Sequence, residues 1–83
     1  MHEKARILIV DDDGLIRLLL RRMLIKCGYR RLYEAGDGAK AKALLAEKHF
    51  DLMILDLHLP DMDGLTLCQY VQDHNLRVPI ILS

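Results

Sequence analysis

The sequence has no excess of charge of either sign. Its 12 Lys plus Arg are matched by 12 Asp plus Glu, so no whole-chain field draws it to nucleic acid or to an anionic membrane, and direct DNA binding is not expected. Long apolar runs are missing too. None approaches the roughly 20 residues of a membrane span, and the charged opening Met1-His2-Glu3-Lys4-Ala5-Arg6 precedes too short an apolar run for a signal peptide. The expectation is a soluble, cytoplasmic protein with no membrane association. Only two cysteines occur. Cys27 and Cys68 fall in different predicted helices without the spacing of a metal site, one possible pair is weak support for an oxidising compartment, and both are expected as buried or half-buried thiols. Repeats, low-complexity tracts and Pro/Ser-rich linkers are absent. With 83 residues there is room for one small domain, which buries only a little over half of its unfolded surface.

What is present alternates between two periodicities. Arg6 to Val10 is a branched apolar run of the kind that suits a parallel strand buried on both faces. From Gly14 to Lys26, Ile16, Leu20, Met23, Leu24 and Cys27 recur at helical spacing, with Asp13 as N-cap and Gly28 just past the end. A second apolar set on the same helix, Leu15, Leu18, Leu19 and Ile25, lies outside that stripe. Leu32 to Ala35 reads as a weaker, edge-like strand, Gly36-Asp37-Gly38 as a turn, and the alanine-rich segment to Glu47 as a helix. Asp51 to Asp56 is again an apolar strand, Leu59 to Gly64 is turn-rich, Leu65 to Asp73 is helical, and Val78 to Leu82 is the last strand. The order βαβαβαβ predicts an α/β fold, a doubly wound parallel sheet with helices on both faces. In such sheets ligands bind beyond the carboxyl ends of the strands, where Asp11, Asp12, Asp56 and Ser83 all fall.

Carboxylates gathered at one sheet edge repel one another unless a cation offsets the charge. Oxygen donors of this type suit Mg²⁺, for which one or two carboxylates and a phosphate suffice. Asp56, ionised beside such a dication, is placed to attack phosphorus and form an acyl phosphate. Ser83 offers a hydroxyl to a phosphoryl oxygen. Asp13 reads as a helix-start acid, Asp61 and Asp63 as turn acids, and His2, His49, His58 and His74 as solvated surface residues without ligand spacing.

Three segments carry a family resemblance: Ile7-Leu8-Ile9-Val10-Asp11-Asp12-Asp13, Asp51 through Gly64, and Val78-Pro79-Ile80-Ile81-Leu82-Ser83. Over essentially its whole length the chain resembles the receiver domain of bacterial two-component response regulators, whose fold is flavodoxin-like. The resemblance implies Asp11 and Asp12 as the Mg²⁺-holding pair, Asp56 as phosphoacceptor and further ligand, the backbone carbonyl of His58 as another ligand, and Ser83 as a switch hydroxyl. It implies a phosphoacceptor switch rather than a turnover enzyme, with a sensor histidine kinase as donor and an output domain or downstream protein as target. Family receivers continue beyond the position of Ser83 into a fourth helix, a fifth strand and a fifth helix. Residues 1–83 are therefore expected to form an incomplete receiver, without the family's later lysine and aromatic switch residue. An open last strand and the second apolar set of the first helix then predict self-association.

A competing reading takes Gly36-Asp37-Gly38-Ala39-Lys40-Ala41 as a G-x-G-x-x-A dinucleotide fingerprint, with Asp56 as its ribose acid. It places the glycines after an edge-like strand and leaves Asp11 to Asp13 without a role. A dehalogenase-type phosphatase would need an acid two residues past Asp56, where His58 stands. A calcium loop at Asp61-Met62-Asp63-Gly64 would begin on Leu59 and end on Tyr70, neither of them a ligand.

Overall fold

Branched aliphatic side chains favour extended backbone, and the run at the start of the chain forms β1 (Arg6–Val10) in the computed structural model, which describes residues 3–83. The surface reading of His2 lies outside the described residues. The helix α1 (Gly14–Lys26) begins where the Asp13 carboxylate accepts from the Leu15 amide at 2.9 Å. It closes at Gly28, whose φ of 99° is the left-handed value that ends helices on glycine. The edge strand β2 (Arg31–Ala35) starts one residue earlier than the sequence suggests, because Arg31 pairs with Arg6. Asp37 caps α2 (Gly38–Glu47) through the Lys40 amide, and Asp63 caps α3 (Gly64–Asp73) through the Thr66 amide and hydroxyl, each at 2.8 Å.

Two strands are shorter than expected. β3 covers Leu52–Leu55; outside those bounds Asp51 turns its carboxylate onto the Arg6 amide at 2.8 Å, and the Asp56 amide still donates to the Val10 carbonyl at 2.9 Å. β4 covers Ile80–Leu82; Pro79 has no amide hydrogen to give, although its carbonyl still accepts from Met53.

All strand pairs are parallel, in the order β2-β1-β3-β4. Leu8, Val10, Met53 and Leu55 pack with Phe50, Ala41, Leu45, Leu67 and Val71 under α2 and α3. Ile7, Ile9 and Leu32 face the other way, toward Leu20 and Leu24 of α1. Helices thus cover both faces, as expected, but unequally.

The expected core stripe of α1 holds only in part. Leu20 and Leu24 pack on the sheet, whereas Ile16, Met23 and Cys27 are exposed. Arg17 and Arg21 turn toward Glu34 on β2, and this ion-pair network sets the rotation of the helix. Cys68 is half-buried as anticipated; Cys27 is not. The second set is exposed: Leu15, Leu18, Leu19 and Ile25. No described helix is long and apolar enough to cross a membrane.

Candidate functional site

β1 and β3 are neighbours whose following helices pack on opposite faces, which makes their carboxyl ends the crevice of the sheet. The hydrogen-bond ladder runs past the strand ends and fixes the first residues of the loops. The Asp11 amide donates to the Ala35 carbonyl at 3.1 Å, the Asp56 amide to Val10 at 2.9 Å, and the Ser83 amide to Leu55 at 2.9 Å. Asp11 and Asp56 are therefore adjacent, and Ser83 lies one strand beyond Asp56.

Carboxylate oxygens of Asp11, Asp12 and Asp56 lie within 4.8 Å of one another. Asp11 is buried, Asp56 half-buried and Asp12 exposed. Burial pushes the Asp11 carboxyl above the usual carboxylate range; the Asp13 amide pulls it down, and the charges of Asp56, Asp12 and Asp13 push it up again. Among the described residues no Lys, Arg or His side chain pairs with any of the three acids. Three hard oxygen donors with uncompensated charge fit a small divalent cation.

His58 contributes through its peptide. Its amide donates to Asp56 Oδ1 at 3.1 Å, while its imidazole is exposed. The loop it begins is held by a bridge between His58 and Asp63 and by the Gly64 amide on the Leu57 carbonyl at 2.7 Å. Gly64 is needed for this approach, since a Cβ there would lie 2.9 Å from Leu57 Cα and 3.0 Å from the Asp56 carbonyl oxygen. Asp13 stays outside the cluster as the cap of α1, and Asp63 as the cap of α3. His49 and His74 are exposed, consistent with surface roles.

Asp61 has a role the sequence did not reveal. Its two oxygens accept from the amides of Gly38 and Ala39 at 2.8 and 2.9 Å, which ties the loop after β3 to the start of α2 and lowers the carboxyl below its usual range. Met62 seats against Gly38, where a Cβ would collide with its Sδ. This arrangement removes the dinucleotide reading. The amides that would receive a pyrophosphate already serve Asp61 and Asp37, and β2 is an edge strand. The contact joins residues 22 positions apart, and no local pattern announces it.

Arg17 is the other residue that spacing alone did not single out. Its guanidinium donates to the Asp11 carbonyl at 2.6 Å and to Glu34 Oε1 at 3.0 Å. The signal lay in two arginines four residues apart inside an apolar helix, opposite an acid in the next strand.

A family profile for the response regulator receiver domain matches residues 7–83. Sensor protein EvgS of Escherichia coli K12 is 42% identical over 80 residues, covering 96% of this chain but 7% of that protein. The MaeR response regulator bound to beryllium trifluoride superposes with a TM-score of 0.91 at 32% identity, covering 95% of this chain and 66% of that one. TrrA of Thermotoga maritima, in complex with Mg²⁺ and BeF, gives 0.87 at 35% identity, over 94% and 67% of the two chains.

Proposed function

The chain belongs to the response regulator receiver family, a family of regulatory signalling modules, and from that premise we propose that it is a phosphoacceptor switch in which Asp56 takes a phosphoryl group. The observation that carries this reading is the convergence of Asp11, Asp12 and Asp56 at the carboxyl ends of β1 and β3. Asp11, Asp12, Asp56 and the backbone carbonyl of His58 would hold Mg²⁺. Bound there, the ion supplies charge neutralisation to the three carboxylates and to the phosphoryl oxygens. TrrA, which resembles this chain, is a response regulator protein seen in complex with Mg²⁺ and BeF.

The protein's own residues supply orientation and the nucleophile. The His58 amide fixes Asp56 Oδ1, which leaves Oδ2 to attack phosphorus. A P–O or P–N bond to the donor breaks as the acyl phosphate forms, and the donor's leaving group takes the bonding pair. Ser83, at the end of the neighbouring strand, would move its hydroxyl onto a phosphoryl oxygen and report the event to the surface. A sensor histidine kinase is the donor in this reading, and an output domain or downstream protein the recipient of the change. The exposed apolar side chains of α1 support self-association; a strictly monomeric species in sedimentation would contradict that part.

Incubation with a small acyl phosphate and Mg²⁺, followed by intact mass, tests the central step. One added phosphoryl group is expected on the wild type and none on Asp56→Asn or after chelation of the metal. An unmodified wild type, or full modification of Asp56→Asn, overturns the proposal.

A further inference from the structure

Both backbone polar groups of Asp11 and one of its carboxylate oxygens are tied to neighbours. Its amide holds Ala35 at the end of β2, and its carboxylate accepts from the Asp13 amide at 2.9 Å. Its carbonyl takes the hydrogen bond from Arg17 Nη1, at 2.6 Å the shortest of the three. The same guanidinium is held from behind by Glu34 of β2 through Nε at 3.0 Å. It fills the space between the loops after β1 and β2, since a Cβ on Gly36 would lie 3.4 Å from Nη1 and one on Gly14 3.6 Å from Nη2. Arg17 and Glu34 are both partly shielded from solvent, with side-chain exposures of 23% and 33%.

The Asp11 carbonyl belongs to the peptide that links Asp11 to Asp12. The torsions on either side of that peptide, ψ of Asp11 and φ of Asp12, set the relative directions of the two side chains, so a contact that restrains them restrains the spacing of the acid cluster. A planar guanidinium can serve the carbonyl and Glu34 at once, in directions set by its own geometry; an ammonium at the end of a flexible stem cannot. The charge of Arg17 works the other way. A cation beside a metal site weakens metal binding by repulsion, so its presence here is explained by direction rather than by sign.

We propose that Arg17, oriented by Glu34, is a positioning residue that locks the Asp11–Asp12 peptide and so sets the geometry of the divalent-cation site. The inference rests on the phosphoacceptor reading of that site. Charge and geometry predict opposite outcomes, and Arg21 provides the control. Arg21 also reaches Glu34, at 3.5 Å, and donates to the Leu32 carbonyl, but it has no hydrogen bond to Asp11.

The test is Mg²⁺ titration of the protein followed by amide resonances of residues 11–13 and 56–58, with melting curves of each variant without metal. Arg17→Lys keeps the charge and loses the two directed bonds; it is expected to weaken Mg²⁺ binding about tenfold, the lower end of what loss of an outer-shell partner costs a metal site. Arg17→Gln removes the positive charge and is nonetheless expected to bind more weakly than the wild type. Arg21→Ala is expected to stay within about twofold of the wild type. Wild-type affinity in folded Arg17→Lys, tighter binding in Arg17→Gln, or an equal loss in Arg21→Ala overturns the proposal. A wild type that shows no Mg²⁺ response overturns the site itself, and this inference with it. If Arg17→Lys does not fold, Glu34→Gln carries the test by taking the charged partner from the guanidinium without touching Asp11, and an effect no larger than that of Arg21→Ala overturns the proposal.

Discussion

On the side of the sheet covered by α2 and α3, Phe50, Met53, Leu55, Leu67 and Val71 are all but removed from solvent and interlock with Leu8 and Val10. On the other side Ile7, Ile9 and Leu32 meet a single helix, no residue of which is buried, and Leu15, Leu18, Leu19, Met23 and Ile25 of that helix face water. The same four strands thus carry one finished layer and one half-finished layer. The acid cluster sits where the two meet, and the loops around it are held by individual hydrogen bonds together with the packing of Leu59 and Met62. Stability and site geometry should therefore respond to different substitutions.

The largest effect is expected on the finished face. Leu67 has no exposed surface, and its truncation leaves a cavity that the surrounding side chains cannot fill. Leu67→Ala should cost about 3 kcal/mol in urea unfolding, a large share of the stability of a small domain. Leu24→Ala, on the α1 side where the residue is only half-buried, should cost about half as much. Equal costs would show that the two layers are equally built in solution.

Next come the acids, whose pH dependences have opposite sign. Asp11 is pushed up by burial and by its neighbours' charge. Its contribution to stability is full below the ordinary carboxylate pKa of about 4 and is lost as pH rises through the higher folded value. Asp11→Asn keeps the oxygen that accepts from Asp13 and removes the charge. Without metal at neutral pH it should melt on the order of 5 °C higher than the wild type, and the gain should vanish in acid. Addition of Mg²⁺ should reverse the order of the two melting temperatures, because only the wild type keeps the full donor set. A variant that melts below the wild type in the absence of metal would contradict the electrostatic account of the cluster.

Asp61 behaves in the opposite sense and with a smaller amplitude. Hydrogen bonds from Gly38 and Ala39 lower its pKa, so its contribution is present above about pH 4 and is lost as pH falls through the folded value. Asp61→Asn should melt below the wild type at neutral pH, with a gap narrower than that of Asp11→Asn, and the two melting curves should converge in acid. A gap that persists unchanged below that window would mean that shape, not charge, holds the loop to α2.

The strands and helices were legible because their signals are local. The apolar runs at Ile7 to Val10 and Leu52 to Leu55 and the capping acid Asp13 each sit next to what they determine, whereas Asp63, read as a turn acid, also caps α3. The convergence of Asp11, Asp12 and Asp56 could also be read, because parallel pairing of two acid-terminated strands leaves the acids nowhere else to go. What escaped was non-local. Helix α1 carries apolar residues beyond a single stripe, so periodicity admitted several rotations, and the choice fell to the ion pairs of Arg17 and Arg21 with Glu34, 17 and 13 residues further along the chain. Asp61 looked like a turn former and is one, but its carboxylate also spans to α2. Ladder ends shifted by a residue or two for reasons that differ from strand to strand: a backbone pairing of Arg31 with Arg6, the side chain of Asp51 on the Arg6 amide, and the missing amide hydrogen of Pro79.

The smallest effect should fall on the half-finished face, and there it is diagnostic. Leu19 is 47% exposed and lies beside Arg22 and Met23. Leu19→Glu removes little buried area and gains a favourable charge three residues before Arg22. If the face is open in solution, the unfolding free energy should change by less than about 0.5 kcal/mol at every protein concentration. If another copy of the chain covers the face, the same substitution must bury a carboxylate against Met23 and Ile25, and the apparent stability should then fall more steeply at high protein concentration than at low. A loss independent of concentration would place the contact within the chain and would show the α1 layer to be more finished than its exposed side chains indicate.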